Sequence, residues 1–220
     1  MRIILAGFDG TGKTLTSRSL RYLLSKLYGI NPNIMWVKSS HGIAYIVEYI
    51  FRHSRSCTTY VINPHGIRVY RTNRNCYRRL GSLWLILEFL GLLYVIFESL
   101  INRFSHKVVI FERSFIDTVV SITYKLGNIM WYYNSFLGRM LHKWINDYGV
   151  GYLLDSSVND IISRRHDIEY TTEEIIYLRA IYRVLARIYN YRIMENKGSD
   201  LKNLLKIINY IVVVECKDKL

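Results

Sequence analysis

Apolar positions fall in blocks along this chain, and the spacing within each block names its element. Ile3-Ile4-Leu5-Ala6 is a short continuous apolar run, the pattern of a strand buried on both faces. Leu15, Leu20, Leu23, Leu24 and Leu27 then recur at helical spacing until Gly29 stops them. A strand over 2–6 and a helix over 13–28 follow. The same reading predicts a strand at 33–38 (NIMWVK), a long and mostly helical stretch at 41–104, and a strand at 107–112 (KVVIFE). Helices at 116–131 and 135–147 and a strand at 150–155 (VGYLLD) come next. Ser157 with Asp160, and Thr171 with Glu174, have capping-box spacing and open helices at 157–165 and 171–189. A short strand at 191–195 and a last helix from Ser199 close the chain; Leu201, Leu204, Leu205, Ile208 and Val212 keep helical spacing there. Strands alternating with helices imply an α/β fold, a parallel sheet covered by helices on both faces. Ligands of such sheets bind at the carboxyl ends of the strands.

One block is apolar nearly all round: LWLILEFLGLLYVIFESLI, 83–101. Glu88 and Glu98 interrupt it, and a membrane span needs about 20 mostly apolar residues. It reads as a central helix of the core, and no membrane span is expected.

The first strand and first helix are joined by Gly7-Phe8-Asp9-Gly10-Thr11-Gly12-Lys13-Thr14, which fits G-x-x-x-x-G-K-[ST]. Glycines let the backbone curl until several N–H groups converge on one anion, and the helix N-terminus adds partial positive charge. These eight residues are the expected ATP-binding loop, with Lys13 on the outer phosphates and the Thr14 hydroxyl on Mg²⁺. The third strand ends in Phe111-Glu112-Arg113-Ser114, with Asp117 after it. A carboxylate at that place can hold the same Mg²⁺, so Glu112 joins Thr14 as a metal candidate. Arg113 presents a planar fork suited to a second phosphate. Arg164-Arg165-His166-Asp167 ends a short helix, where an arginine pair on a hinge can close over phosphates during transfer.

Half of the residues are hydrophobic, which argues against disorder, and 220 residues suffice for one α/β domain with a real core. The formal net charge is +13, and RVYRTNRNCYRR (68–79) interleaves cations with aromatic rings as single-stranded nucleic-acid binders do. It matches no recognised nucleic-acid module, so no stable nucleic-acid complex is expected. Cys57, Cys76 and Cys216 are odd in number and far apart, with neither metal spacing nor a disulfide framework. A reducing cytoplasm is therefore expected, and Met1-Arg2 leading straight into the first strand gives no sign of a signal peptide.

With these residues in view, the chain resembles the thymidylate kinase family of P-loop nucleoside monophosphate kinases, as a divergent, archaeal-type member. GFDGTGKT looks like that family's phosphate loop, and VVIFERSFID like its third strand with an Asp-Arg-aromatic end. LLDSSVNDIISRRHDIEYTTEEIIYLRAIYRVL looks like its fourth strand, arginine lid and following helix. The resemblance implies a three-layer P-loop kinase fold with a five-stranded parallel sheet and a single domain over 1–220. It implies an insertion, helical and basic, at 41–104 and a lid at 163–170. It also implies transfer of the γ-phosphoryl group of Mg·ATP to a small-molecule nucleotide, a pyrimidine deoxynucleotide such as dTMP. Lys13, Arg113, Arg164 and Arg165 are then the catalytic cations; Asp9, Arg113 and Asp117 face the acceptor. A homodimer is compatible with the resemblance. The chain departs from the family in several places. Ala6 stands where a glutamate is usual, Glu112 replaces an aspartate, and Lys38-Ser39-Ser40-His41-Gly42 replaces a Glu-Pro-Gly-Gly type turn. The central helix carries Glu88 and apolar residues where an acceptor-binding arginine is usual, and arginines of 68–79 are candidates to replace it. The Glu112-Arg113-Ser114 form resembles deoxynucleoside kinases instead, which is the alternative function; a non-catalytic nucleotide-binding or nucleic-acid-binding protein is the other.

Overall fold

The computed structural model describes residues 1–36, 42–105, 108–113, 115–147, 149–196 and 204–210. Its main sheet is built from β1 (Arg2–Ala6), β2 (Asn33–Trp36), β5 (Val109–Glu112), β6 (Val150–Asp155) and β7 (Arg192–Glu195). All pairings are parallel and the order is β2-β5-β1-β6-β7. The register sets Leu5 beside Glu112 and Ala6 beside Leu153, so the phosphate-loop residues and Glu112 emerge together at the carboxyl edge.

Period-two side-chain direction splits each central strand between two cores. Ile4, Ala6, Val109 and Phe111 face one core, packed against α5 (Phe115–Leu126) and α9 (Thr172–Ile188) through Phe115, Val119, Ile175 and Leu185. Ile3, Leu5, Ile110 and Leu154 face the other, against Leu20 and Leu24 of α1 (Lys13–Tyr28) and Ile207 and Ile208 of the helix at 204–210. Helices thus cover both faces, as the alternating pattern predicts. The architecture is three-layered, a five-stranded parallel sheet between two layers of helices.

The elements up to α1, β6 and the capped helices α8 (Val158–Arg164) and α9 agree with the sequence expectation within a residue or two. Ser157 accepts from the Asp160 N–H, and Thr171 with Glu174 forms the complete capping box. The single helix expected over 116–131 is broken at Gly127, which has φ +74°: α5 ends at Leu126 and α6 (Met130–Asn134) follows, with α7 (Phe136–Asp147) after it. The Lys38–His41 turn, Ser114 and Ser199 lie outside the described residues.

The stretch 41–104 is mostly helical, as expected, but a strand pair that the sequence reading missed interrupts it. This stretch folds as α2 (Ile43–His53), an antiparallel hairpin of β3 (Thr58–Ile62) and β4 (Arg68–Thr72), α3 (Arg74–Leu80) and α4 (Ser82–Ser105). TTYVI and RVYRT are rich in β-branched and aromatic residues, and the Asn63 side chain closes the turn between them by accepting N–H bonds from His65 and Ile67. The hairpin also corrects the cysteine expectation. Cys57 and Cys76 are 19 residues apart in sequence, but the chain doubles back between them and they form a disulfide. Helix α4 is not buried all round either: Trp84, Glu88 and Leu92 are buried, while Leu83, Ile86, Leu90 and Phe97 are exposed. Among the described residues, no helix is long and apolar enough to cross a membrane.

Candidate active site

The phosphate loop turns at the carboxyl end of β1. Gly7 has φ +147°, and a Cβ there would meet the Leu154 carbonyl oxygen at 2.4 Å. Gly12, at φ +89°, is the left-handed residue that opens α1. Only residues without a side chain let this loop close so tightly. Lys13 folds back over it: Nζ donates to the carbonyls of Gly7 (2.5 Å) and Phe8 (2.8 Å) and lies 3.7 Å from Asp9. Burial pushes the Lys13 amine below its usual range, with the charges of Asp9 and Asp117 opposing that shift. Asn196, which follows β7, donates to the Thr11 carbonyl at 2.7 Å and fastens the loop from the far side.

Thr14 donates through its hydroxyl to Glu112 Oε1, and the Ser17 hydroxyl lies 3.0 Å from Glu112 Oε2. A carboxylate and hydroxyl in contact at the start of α1 form the hard-oxygen set that suits Mg²⁺. Arg113 is one of two non-glycine residues described with positive φ, at +74°. Its N–H still donates to Leu5 at 3.1 Å, so the left-handed turn comes directly off the sheet edge and aims the side chain back over the loop. The guanidinium donates to Asp9 Oδ1 at 2.6 Å. Burial alone would raise the Asp9 carboxyl, but Lys13, Arg113 and Arg165 together hold it below its usual range.

The two consecutive lid-candidate arginines go different ways. Arg165 grips Asp167 through two bonds of 2.8 and 2.5 Å and lies 3.7 Å from Asp9 Oδ2. Arg164 instead donates to the Ser156 hydroxyl (3.1 Å), the Asn196 carbonyl (3.2 Å) and the Gly10 carbonyl (3.4 Å). Asp117, expected at the acceptor, is buried; it accepts from the Tyr182 hydroxyl at 2.9 Å and does not line the adjoining cavity. The structure therefore brings together Asp9, Lys13, Thr14, Glu112, Arg113 and Arg165, with Arg164 on the outer side of the loop and Asp117 behind it.

Beside this cluster opens a cavity of about 640 Å³, walled by Phe8, Trp36, Tyr49, Tyr124 and Tyr170. Sequence reasoning missed Glu48 and Lys125 in its polar lining, and also Glu174, which lies outside the lining and holds the lining residues Arg71 and Arg74. Glu174 accepts two bonds from Arg71 (2.6 and 2.9 Å), one from Arg74 (2.5 Å) and one from the Tyr124 hydroxyl (3.0 Å). Burial opposes its charge, but these donors hold the Glu174 carboxyl below its usual range. Burial pushes the Tyr124 hydroxyl up to about 12, against the pull of Arg74 and Arg71. Lys125 bridges Glu48 (2.9 Å) and the wholly buried Glu88 (3.2 Å); burial would lower its amine, yet these carboxylates raise it above its usual range. The only signal for Arg71 and Arg74 was the Arg/Tyr-rich stretch, which carries as many cues for nucleic acid as for a pocket wall. Lys125 and Glu48 gave none, because single charges in separate helices do not announce that they meet.

No family model and no curated protein matches the chain. Solved structures do. A thymidylate kinase from Ehrlichia chaffeensis is 18% identical, over 96% of this chain and 98% of its own, with a TM-score of 0.54. A deoxyadenosine kinase from M. mycoides with bound dATP is 14% identical over 96% and 99%, with a TM-score of 0.51. The same kinase with products dCMP and dCDP bound is 16% identical over 97% and 100%, with a TM-score of 0.50. At such identities the likeness shows the fold.

Proposed function

We propose that this chain is a nucleotide kinase that moves the γ-phosphoryl group of Mg·ATP to a pyrimidine deoxynucleotide such as dTMP. One observation carries the reading: the phosphate loop shares Asp9 with Arg113 and Arg165, and that trio forms the mouth of the aromatic-walled cavity. An anion cradle thus opens directly on a space of the right size for a nucleotide. The residues fit Mg·ATP. The loop is tight enough to aim its N–H groups at an anion, and Thr14 with Glu112 offers oxygen donors for the metal. When bound, Mg·ATP supplies the transferable group and the metal charge that offsets it. The chain's own residues position and neutralise: Lys13 at the outer phosphates, Arg113 at the acceptor phosphate, and Arg165 over the gap between them. Arg71 and Arg74, on the same cavity wall, stand in for the arginine that the central helix lacks. The reading treats 1–220 as one kinase domain with 41–104 inserted, 163–170 as its lid, and a homodimer as its assembly. A cytoplasmic location goes with it, although the Cys57–Cys76 disulfide removes the cysteine evidence for a reducing compartment.

A deoxynucleoside acceptor is the second reading, and charge pairing favours it. Arg71 and Arg74 meet Glu174, Arg113 and Arg165 meet Asp9, and Lys125 meets Glu48 and Glu88. A dianionic acceptor must displace some of these carboxylates, whereas an uncharged one need not. The test is kcat/KM for dTMP and for thymidine at equal Mg·ATP. Faster turnover of dTMP is expected. Thymidine as the better acceptor replaces the first reading by the second, and no turnover of any nucleoside or nucleotide leaves a binding protein.

A further inference from the structure

We propose that the β3–β4 hairpin is a strap that positions the lid arginine Arg165, and that the Cys57–Cys76 disulfide holds the strap in place. The proposal rests on the phosphoryl-transfer reading for its effect on rate, but not for its geometry. At the hairpin tip, Asn63 is 3% exposed and donates through Nδ2 to the His166 carbonyl at 3.2 Å. His65 Nε2 lies 3.0 Å from the carbonyls of both Ile162 and Arg165. Both partners are acceptors, so Nε2 carries a hydrogen. The Ile162 carbonyl, in the last turn of α8, also accepts the Arg165 N–H at 3.3 Å, and the Arg165 and His166 carbonyls follow the end of the helix. The hairpin adds side-chain donors to these three carbonyls, and it fixes the backbone of Arg165 itself.

The other end of the hairpin grips the far side of the lid. Arg71 donates to the Glu169 carbonyl at 3.2 Å as well as to Glu174. Residues 162 to 174 are therefore held from two points, with Arg165 between them and its guanidinium facing Asp9. An isolated two-stranded hairpin is marginal by itself, so something must hold its base. The disulfide does, joining the residue before β3 to one in the first turn of α3, and the Asn73 N–H donates to the Cys57 carbonyl at 2.6 Å beside it. A dithiol reductant reverses this by exchange: its thiolates break the S–S bond, Cys57 and Cys76 become thiols, and the reagent leaves as its own disulfide. The base of the strap is then free.

The test uses the full chain, oxidised or reduced with dithiothreitol, alongside His65→Ala and Cys57→Ser/Cys76→Ser. Two quantities are read: trypsin cleavage after Arg164 and Arg165, followed by mass spectrometry, and kcat and KM for dTMP and ATP. With the strap undone, lid cleavage rises about fivefold or more and kcat falls about tenfold while KM for ATP stays within about twofold. In the double serine variant, cleavage is fast and dithiothreitol adds nothing. Cleavage and kcat near the wild-type values in His65→Ala overturn the strap. Cleavage raised by His65→Ala but untouched by dithiothreitol overturns the role of the disulfide and keeps the strap. A wild-type chain that turns over no acceptor, yet shows the redox-dependent cleavage, overturns the kinase reading and supports the strap.

Discussion

At the scale of single residues, position decides more than type. Lys13 and Lys125 are both buried lysines of the same region, but Lys13 lies on loop carbonyls and Lys125 between two carboxylates. Lys13 sits on the glycine loop beside Asp9; Lys125 is held away from it by Glu48 and Glu88. Lys13→Ala is expected to fold and to lose phosphoryl transfer by about 10²-fold or more, as when a preorganised charge is removed from a developing one. Steady-state rates on the purified variant check this, and near-normal turnover would disprove the loop's role. Glu112→Gln keeps an acceptor for the Thr14 hydroxyl but removes the charge that attracts a metal. A Mg²⁺ titration of the rate should show a clear rise in the concentration needed for half-maximal activity, with little loss of stability. An unchanged titration would reduce Glu112 to a partner of Thr14 and Ser17. The placement of the loop, Glu112 and Arg113 was legible because it follows from adjacency to strand ends. Asp117 was not: two residues into α5, it faces the core and Tyr182, which no spacing in the sequence reveals.

At the scale of elements, local signals predicted well where a cap marked the start of a helix. The capping box of α9 is such a case, and it does two jobs. Glu174 accepts the Thr171 N–H at 3.1 Å and also takes the arginines from β4 and α3. Thr171→Ala should lower stability by about 1 kcal/mol, the usual cost of an N-cap, measured by urea denaturation at neutral pH. Acid should act on the same cluster. The folded carboxyl of Glu174 titrates below its ordinary value of 4.5, so its contribution is full above that value. It is lost as pH falls through the lower folded value, and Glu174→Gln should flatten stability against pH over that window. The same slope in wild type and variant would show that other carboxylates govern it. The hairpin escaped prediction for the opposite reason. TTYVI and RVYRT are short, and a strand pair is stable only against something else, here α2 and a disulfide whose partners are distant in sequence.

At the scale of the whole molecule, charges from separate elements tie α2 and α4 to α5. Glu48 on α2, Glu88 on α4 and Lys125 on α5 meet beside Tyr77 and Trp84. Glu88→Leu removes one carboxylate from a buried cation and should cost about 3–5 kcal/mol in chemical denaturation, while adding Lys125→Met should recover much of it. A single variant within about 1 kcal/mol of wild type would mean that Glu48 alone suffices for Lys125. The interrupted apolar run of α4 was legible as a helix, but the purpose of Glu88 was not. What the sequence by itself determined is the part governed by neighbours along the chain: a strand, a tight glycine turn and a helix in succession, the alternation that makes a parallel sheet, and the caps that open its helices. The tertiary structure alone decided which distant residues share a space. It joined Cys57 to Cys76, set the hairpin against the end of α8, sent Arg164 and Arg165 to different partners, and matched each cavity cation named here with a carboxylate from another element. The physical reason is range. Backbone preference and hydrophobic period act within a turn or two, whereas ion pairs and packing act across whatever the folded chain brings within a few ångströms.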